Sequence, residues 1–494
     1  MPQDFSEKRN DYYEELGLPL SADAFIAKQK REMEEALEKF DRTLPKNKYV
    51  ALATRKGKPW MTVAKLEPQK EPRFLTALKA EVGRRWGQLF LLDVLKEAAL
   101  RIGFPNLFKS PALYETLPRD MLQMRLILCL YALGTNIGLK RVVSGIAEKY
   151  RELLYVRNRF VTQENLRAAI ADVANAIFRE RKTQIWGQAT SCAGDSKKFG
   201  AYDQNLLTEW HIRYRGPGIM VYWHVEKKAL CIYSQIKRCS SSEVASMIQG
   251  LLRHCTDMEV QKGFVDTHGQ SFVGFAFIHL LGIALLPRLA DIGGRKLYRP
   301  DVGMPDAYPN VQPILTSRID WELIRENYDE LVKYAAALKG GTADAEAILS
   351  RFTKSGPMHP VYKAAMELGK VRQTIFLCEY LGSKELRHEI QEGLNVIENW
   401  NSANDFAWYG KGGELAVNNR EDQEIAILSL HLLQICMVYI NTLLVQKVLA
   451  EKEWLEKMQP EDFRGLTPLF YGHITPYGEF QLDMNKRLNI EDTV

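Results

Sequence analysis

The chain has 494 residues, 46% of them hydrophobic, with 66 Lys plus Arg against 61 Asp plus Glu and a formal net charge of +5. That length suits two to four domains around a large core, and the apolar content excludes a disordered chain. The mild positive balance permits a polyanionic partner without requiring one, because any basic surface must be local.

In chain order, residues 1–180 read as mainly helical. Asp23 to Phe40 is a charge-rich helix with opposite charges interspersed. Val50–Ala53 and Trp60–Val63 flank Lys56-Gly57-Lys58-Pro59, which predicts a small hairpin. Leu166, Ile170, Val173, Ile177 and Phe178 keep helical spacing behind Thr162, a candidate N-cap.

The pattern changes near Thr183. Ile219–Val225 and Ala229–Ile236 are β-rich runs joined by Glu226-Lys227-Lys228. Ser240 to Glu243 matches a capping box, Ser240 as N-cap and Glu243 at N3, opening a helix with Val244, Met247, Ile248, Leu251 and Leu252 on one face. A short strand then ends at Asp266, an apolar helix follows, and Ile283–Leu286 is a further strand stopped by Pro287. With a first strand before Asp195, the order is β-β-β-α-β-α-β, with acids after the first and fourth strands. The fold class expected is α+β or α/β: a ribonuclease-H-like core with a helical insertion, flanked by mainly α-helical N- and C-terminal regions. The divisions expected are a helical scaffold with a hairpin over 1–183, the first part of the core over 184–292, the insertion over 293–383, a core helix with the third acid over 384–423, and a helical region over 424–494.

The seven cysteines include no C-x-x-C pair, which argues against a zinc site. An odd count behind a polar N-terminus fits reduced thiols in a cytoplasm. The longest apolar run, Leu428–Ile440, contains His431 and Gln434 and is too short to span a bilayer. A core helix is expected there, and no membrane partner.

Three carboxylates stand out. Asp266 closes Gly263-Phe264-Val265-Asp266 and precedes Thr267-His268-Gly269-Gln270-Ser271. As a bland alternative it caps the next helix, but a cap does not account for His268, suited to a scissile phosphate or to orienting Asp266. Asp195 lies in Cys192-Ala193-Gly194-Asp195-Ser196-Lys197-Lys198, which also reads as ordinary turn chemistry. Glu398 shares a helical stripe with Leu386, Ile390, Leu394 and Ile397, where a buried carboxylate is costly unless paired or bound to a cation. Glu392, on the polar side, and Glu414, in a Gly-rich loop, compete with it. Acids on two strands and a helix suit phosphoryl transfer with two Mg²⁺ (or Mn²⁺) ions, which take oxygen ligands. Their mutual repulsion would raise their pKa values until metal binds.

The segments 190–206, 209–225, 234–244 and 264–289, together with Leu394-Asn395-Val396-Ile397-Glu398, resemble transposases of the Tn-three family. The resemblance runs from the N-terminal helices to about residue 455 and is strongest over 190–300. It implies a DDE transposase whose catalytic, metal-binding acids fall on Asp195, Asp266 and Glu398. Such enzymes nick terminal inverted repeats and join the freed 3′-hydroxyls to target DNA in replicative transposition. It also implies DNA as partner, a homodimer holding two ends, and a bacterial cytoplasmic, nucleoid-associated location. Two departures are noted. Family members are about twice as long, with inverted-repeat recognition in an N-terminal portion absent here, so a separately encoded N-terminal part is one expectation and a truncated, non-catalytic DNA-binding or dimerisation fragment is the alternative function. Phe272 also stands where many relatives carry glutamate.

Candidates for DNA contact are Lys197, Lys198, Arg213, Lys237, Arg238, His268 and Arg288, with Arg215 and Arg295 beside them. Phosphate contacts of this kind set register without reading sequence. His211 and His224 are expected to be structural, and Asn441 is given no catalytic role.

Overall fold

The computed structural model describes residues 2–110, 117–202, 207–266, 271–289, 292–301, 307–353 and 359–490. Helix α1 (Ala22–Thr43) is capped by Ser21, whose Oγ accepts from Ala24 N at 3.3 Å. Strands β1 (Val50–Arg55) and β2 (Lys58–Val63) form the expected hairpin. Its turn, Lys56-Gly57, has φ of 53° and 73°, the left-handed pair that matches strand twist. Helix α2 (Gln163–Glu180) begins at Thr162, as expected, with Thr162 Oγ1 accepting from Asn165 N at 3.2 Å.

The central sheet follows: β3 (Ser191–Gly200), β4 (Glu209–His211), β5 (Gly216–Glu226), β6 (Leu230–Lys237), helix α3 (Glu243–Arg253), β7 (Lys262–Val265), helix α4 (Phe272–Leu280) and β8 (Ala284–Pro287). The spatial order is β6-β5-β3-β7-β8, with short β4 pairing the first residues of β5. β5 is antiparallel to both β3 and β6, whereas β7 is parallel to both β3 and β8. Beyond β8, two short parallel strands, Leu297–Arg299 and Leu315–Arg318, precede a helical stretch ending in α5 (Pro360–Gly382). Helix α6 (Lys384–Ala407) then crosses the sheet, and α7 (Arg420–Leu449) follows.

Two expectations are corrected. Asp195 does not terminate its strand. β3 runs through it, because the apolar run of β5 pairs with all of it, Asp195 opposite Trp223 and Gly200 opposite Gly218. The turn reading of Gly194-Asp195-Ser196 fails for the same reason. The helix cap is Ser242, not Ser240: Ser242 Oγ accepts from Ala245 N. Ser240 is engaged by Glu209, whose carboxylate accepts from its N–H and its hydroxyl at 2.8 and 2.9 Å.

Helix α7 is apolar on all sides, and 94% of its most apolar window is buried. A helix of that kind in a globular protein forms a core axis. Three of its buried polar side chains are docking pins. His431 bonds Ser234 Oγ at 2.9 Å and the Cys231 carbonyl at 3.0 Å. Asn441 donates to the carbonyls of Pro468 and Phe470. Gln446 accepts from Trp186 Nε1 and Lys182 N. One helix thereby ties α2, the sheet and the C-terminal segment together.

Close approach at two glycines sets the layers around the sheet. A Cβ on Gly393 of α6 would lie 2.4 Å from the Phe264 ring of β7, and one on Gly369 of α5 would lie 2.0 Å from the Phe272 carbonyl oxygen. Only glycine admits those distances, so α6 lies directly on β7 and α5 directly on α4.

Candidate active site

In the sheet register, Gly194 of β3 pairs with Val265 of β7, and Val265 pairs with Pro287 of β8. Each is followed by a charged residue: Asp195, Asp266 and Arg288. Because the three strands run parallel, those residues stand in one row across the sheet. Arg288 N donates to the Val265 carbonyl at 2.9 Å, which fixes the end of the row. Helix α6 brings Glu398 over it. Asp195, Asp266, Arg288 and Glu398 line one open cleft of about 790 Å³.

Arg288 joins two of the acids. Its Nε and Nη2 lie 3.3 and 3.1 Å from Asp266 Oδ1, and its Nη1 lies 4.0 Å from Glu398 Oε1. Glu398 is not on the buried stripe, which is a correction. Leu394 and Ile397 are buried, whereas the Glu398 side chain is 62% exposed. The helix turns past Ile397 toward the cleft, so Glu398 sits at the edge of the stripe. Of its competitors, Glu392 pairs with Arg464 at 3.3 Å, and Glu414 lies beside Gly200.

Asp195 is half-buried, and its carboxyl is pushed up to about 6, first by burial and then by the charges of Glu243 and Asp266; the Ser196 N–H and Arg213 act in the opposite direction. Repulsion between acids was expected, but desolvation is the larger cause. Glu243 is the residue that sequence reasoning missed. As the first residue of α3 it faces the same cleft, where Ser196 Oγ donates to its Oε1 at 2.6 Å. Its signal, an acid in the first turn behind a serine run, was absorbed by the capping-box reading.

The basic candidates separate. Arg213 and Lys237 line the cleft, and burial lowers the Lys237 pKa. Lys198 lies 5.9 Å from the Tyr214 ring at the same rim. Lys197 is turned elsewhere: its ammonium pairs with Asp405 at 2.6 Å and bonds the Asn401 carbonyl, holding β3 to α6. Arg238 opens on a neighbouring groove with Gln249 and Glu346. Arg215 is exposed and Arg295 is half-buried. His268 lies outside the described residues. His224 is buried, its Nε2 on the Met247 carbonyl at 3.2 Å, in a structural role. Phe272 packs edge-on against Tyr298 with ring centroids 5.9 Å apart, so the position expected to hold glutamate serves here to pack α4 against the short strand Leu297–Arg299.

Four carboxylates around one cleft are a hard oxygen donor set, suited to Mg²⁺ or Mn²⁺. Among the described residues, however, no three His, Cys, Asp or Glu side chains are grouped closely enough to hold a metal ion. The guanidinium of Arg288 supplies positive charge between Asp266 and Glu398. The donors fit a divalent cation in kind, with Arg288 as the local countercharge.

Residues 93–480 match the family model described as the Tn3 transposase DDE domain. The chain belongs to the Tn3 transposase family. It is 25% identical over 480 residues to the transposase of transposon Tn1546 from Enterococcus faecium, covering 96% of this chain and 48% of that protein. It is 26% identical to the transposase of Tn501 from Pseudomonas aeruginosa, over 72% of this chain and 36% of the relative. The transposase of transposon gamma-delta from Escherichia coli K12 is 26% identical over 94% of this chain and 47% of its own length. The chain spans about half the length of the curated relatives it matches.

Proposed function

We propose that this chain is the catalytic part of a DDE transposase that nicks transposon inverted-repeat ends and transfers the 3′-hydroxyl to target DNA. The observation that carries the reading is the row of Asp195 and Asp266 on adjacent parallel strands, faced by Glu398 from α6 across an open cleft, in a chain of the Tn3 transposase family. The strand order and directions support a ribonuclease-H-like core, with 293–383 as an insertion between the second and third acids.

In this reading Asp195, Asp266 and Glu398 hold two Mg²⁺ or Mn²⁺ ions, with Glu243 as a neighbouring acid. Divalent ions bound there would activate the attacking oxygen and stabilise the leaving one. The protein's own part is positional. Half-burial of Asp195 excludes water from one side of the site, and the register fixes its distance from Asp266. Ser196 orients Glu243. Arg213, Lys198 and Lys237 meet backbone phosphates along the rim, and Arg288 is released toward phosphate when its carboxylates find another cation. Recognition of the inverted repeats, pairing of two copies and action in the bacterial cytoplasm belong to the same reading. The alternative, a fragment that binds or dimerises without cutting, is less favoured, because Asp195, Asp266 and Glu398 line one open cleft together with Arg213 and Lys237.

The test is cleavage of a duplex carrying the element's terminal repeat. Nicking is expected only with Mg²⁺ or Mn²⁺, and Asp266→Asn is expected to lower it at least ~1000-fold with the fold and DNA binding retained. Full activity in that variant would refute the assignment.

A further inference from the structure

The tip of the β4–β5 hairpin is an unusual surface. Its four-residue turn is Ile212-Arg213-Tyr214-Arg215, with Arg215 at a φ of 47°. Ile212 is 86% exposed, the most exposed large apolar side chain among the described residues, and Trp210 and Tyr214 are 65% and 45% exposed. Exposed apolar side chains gathered in one patch mark an interaction surface. Ile212 and Tyr214 line the same cleft as Asp195.

The hairpin is built to hold them still. Its ladder pairs Glu209 with Gly218, Trp210 with Pro217 and His211 with Gly216. The Glu209 carboxylate is pinned by Ser240 at 2.8 and 2.9 Å. The Tyr214 ring is packed by the His211 ring, with centroids 4.7 Å apart, and by the cations of Arg213 and Lys198 at 5.7 and 5.9 Å from its centroid. Apolar and aromatic side chains alternate with basic ones along the turn. An apolar protein partner would leave those cations buried without countercharge. A polyanion with flat apolar faces satisfies both.

We propose that Ile212 and Tyr214 form a wedge and platform for nucleobases: Ile212 enters the base step beside the scissile phosphate and Tyr214 stacks on the base it frees, while Arg213 and Lys198 hold the flanking phosphates. This rests on the DNA-cutting reading above and adds an opened duplex as the form in which DNA enters the cleft. Apolar wedges that part a base step, and aromatic platforms that hold unstacked bases, are established devices in DNA binding. The benefit at this site is access. A phosphate in an intact duplex is flanked by stacked neighbours, and parting one step lets the strand descend to Asp195 at the cleft floor.

The probe is a duplex of the element's terminal repeat with 2-aminopurine beside the nick mapped with the wild-type protein. Binding of wild type, and equally of Asp266→Asn, is expected to raise its fluorescence. The double variant Ile212→Ala/Tyr214→Ala is expected to lose at least about half of that rise and to nick paired DNA ~10-fold more slowly, yet to bind within about 3-fold of wild type because phosphates dominate affinity. A duplex mispaired at the same step should bring its nicking back to within about 3-fold of wild type, since the opening is already made. Ile212→Phe, which keeps a wedge, should retain the fluorescence rise. Both altered chains should melt at the wild-type temperature, as the residues are exposed.

An undiminished fluorescence rise in the double variant would overturn the proposal, as would mispaired DNA that fails to restore its nicking. A wild-type protein that binds no DNA would remove the DNA-cutting reading and the wedge together. Full nicking by Asp266→Asn alongside an intact fluorescence rise would sink the catalytic assignment and leave the wedge standing.

Discussion

Arg288 Nη2 lies 3.1 Å from Asp266 Oδ1, and the other arm of the same guanidinium reaches to 4.0 Å from Glu398 Oε1. The two acids that arrive from a strand and from a distant helix are thus bridged by a side chain from the next strand. Acids gathered around one cleft repel one another, and Arg288 offsets part of that repulsion in the metal-free protein. Both partners are partly exposed, so the pair contributes only about 1 kcal/mol. Arg288→Ala is expected to lower the melting temperature in a chelator by about 1 °C. It is also expected to lower the Mg²⁺ concentration that half-saturates thermal stabilisation, because the cation no longer competes with a guanidinium. Equal Mg²⁺ responses in the two proteins would show that Arg288 is not the countercharge.

Asp195 is held against its own chemistry. Burial raises its pKa to about 6, so the folded protein favours the neutral acid. A carboxyl raised from 3.8 contributes stability that is complete below its unfolded pKa and is lost as pH rises through about 6. At neutral pH without metal the ionised form is therefore a strain, on the order of 3 kcal/mol. Asp195→Asn is expected to raise the melting temperature at pH 8 in a chelator while removing nicking, a trade of function for stability. A lower melting temperature would mean that the carboxylate is stabilised in ways the burial argument omits.

Two of the buried imidazoles, His431 and His224, have the opposite sign. Burial lowers His431 to about 4 and His224 to about 3. The Nε2 of His431 donates to the Cys231 carbonyl, and in the neutral ring its Nδ1 accepts from the Ser234 hydroxyl 2.9 Å away. The unfolded chain takes up these protons near pH 6.5, so stability is complete above that value and falls as pH drops toward 4. Each imidazole contributes on the order of 3 kcal/mol to the loss. Denaturant unfolding between pH 7 and 4.5 should show the decline, and His431→Gln should start less stable but fall less steeply.

Local patterning in the sequence was enough for much of this fold. The apolar runs of β5 and β6, the Thr162 cap and the apolar stretch inside α7 lie where periodicity places them. Distant partners decided what was missed. Asp195 is strand rather than turn because residues 218–226 supply a ladder to it. Ser240 is not the cap because Glu209 takes its N–H and hydroxyl. The three acids were named from residue type and resemblance, and the cleft collects them. The bridge through Arg288 has no local signal, and that of Glu243 reads equally as a helix cap; both roles arise from strand register and from the docking of α3 at the sheet.

The placement of Glu398 depends on a residue with no chemistry of its own. Gly393 lets α6 lie against Phe264, where any Cβ would come within 2.4 Å of the ring. Gly393→Ala gains helix propensity of up to ~1 kcal/mol, but overpacking costs ~1–3 kcal/mol, so a net loss is expected. The larger effect should be on chemistry. Lifting α6 moves Glu398 relative to Asp266, and a displacement of about 1 Å at a reacting centre costs ~100-fold in rate. Shortening the opposing side chain should relieve the clash, so Gly393→Ala/Phe264→Leu is expected to recover part of both losses. The measurement is a double-mutant cycle on unfolding free energy and nicking rate, in which contacting residues show a coupling of ~0.5–3 kcal/mol. Strictly additive effects would mean that α6 is positioned by some contact other than Gly393 on Phe264.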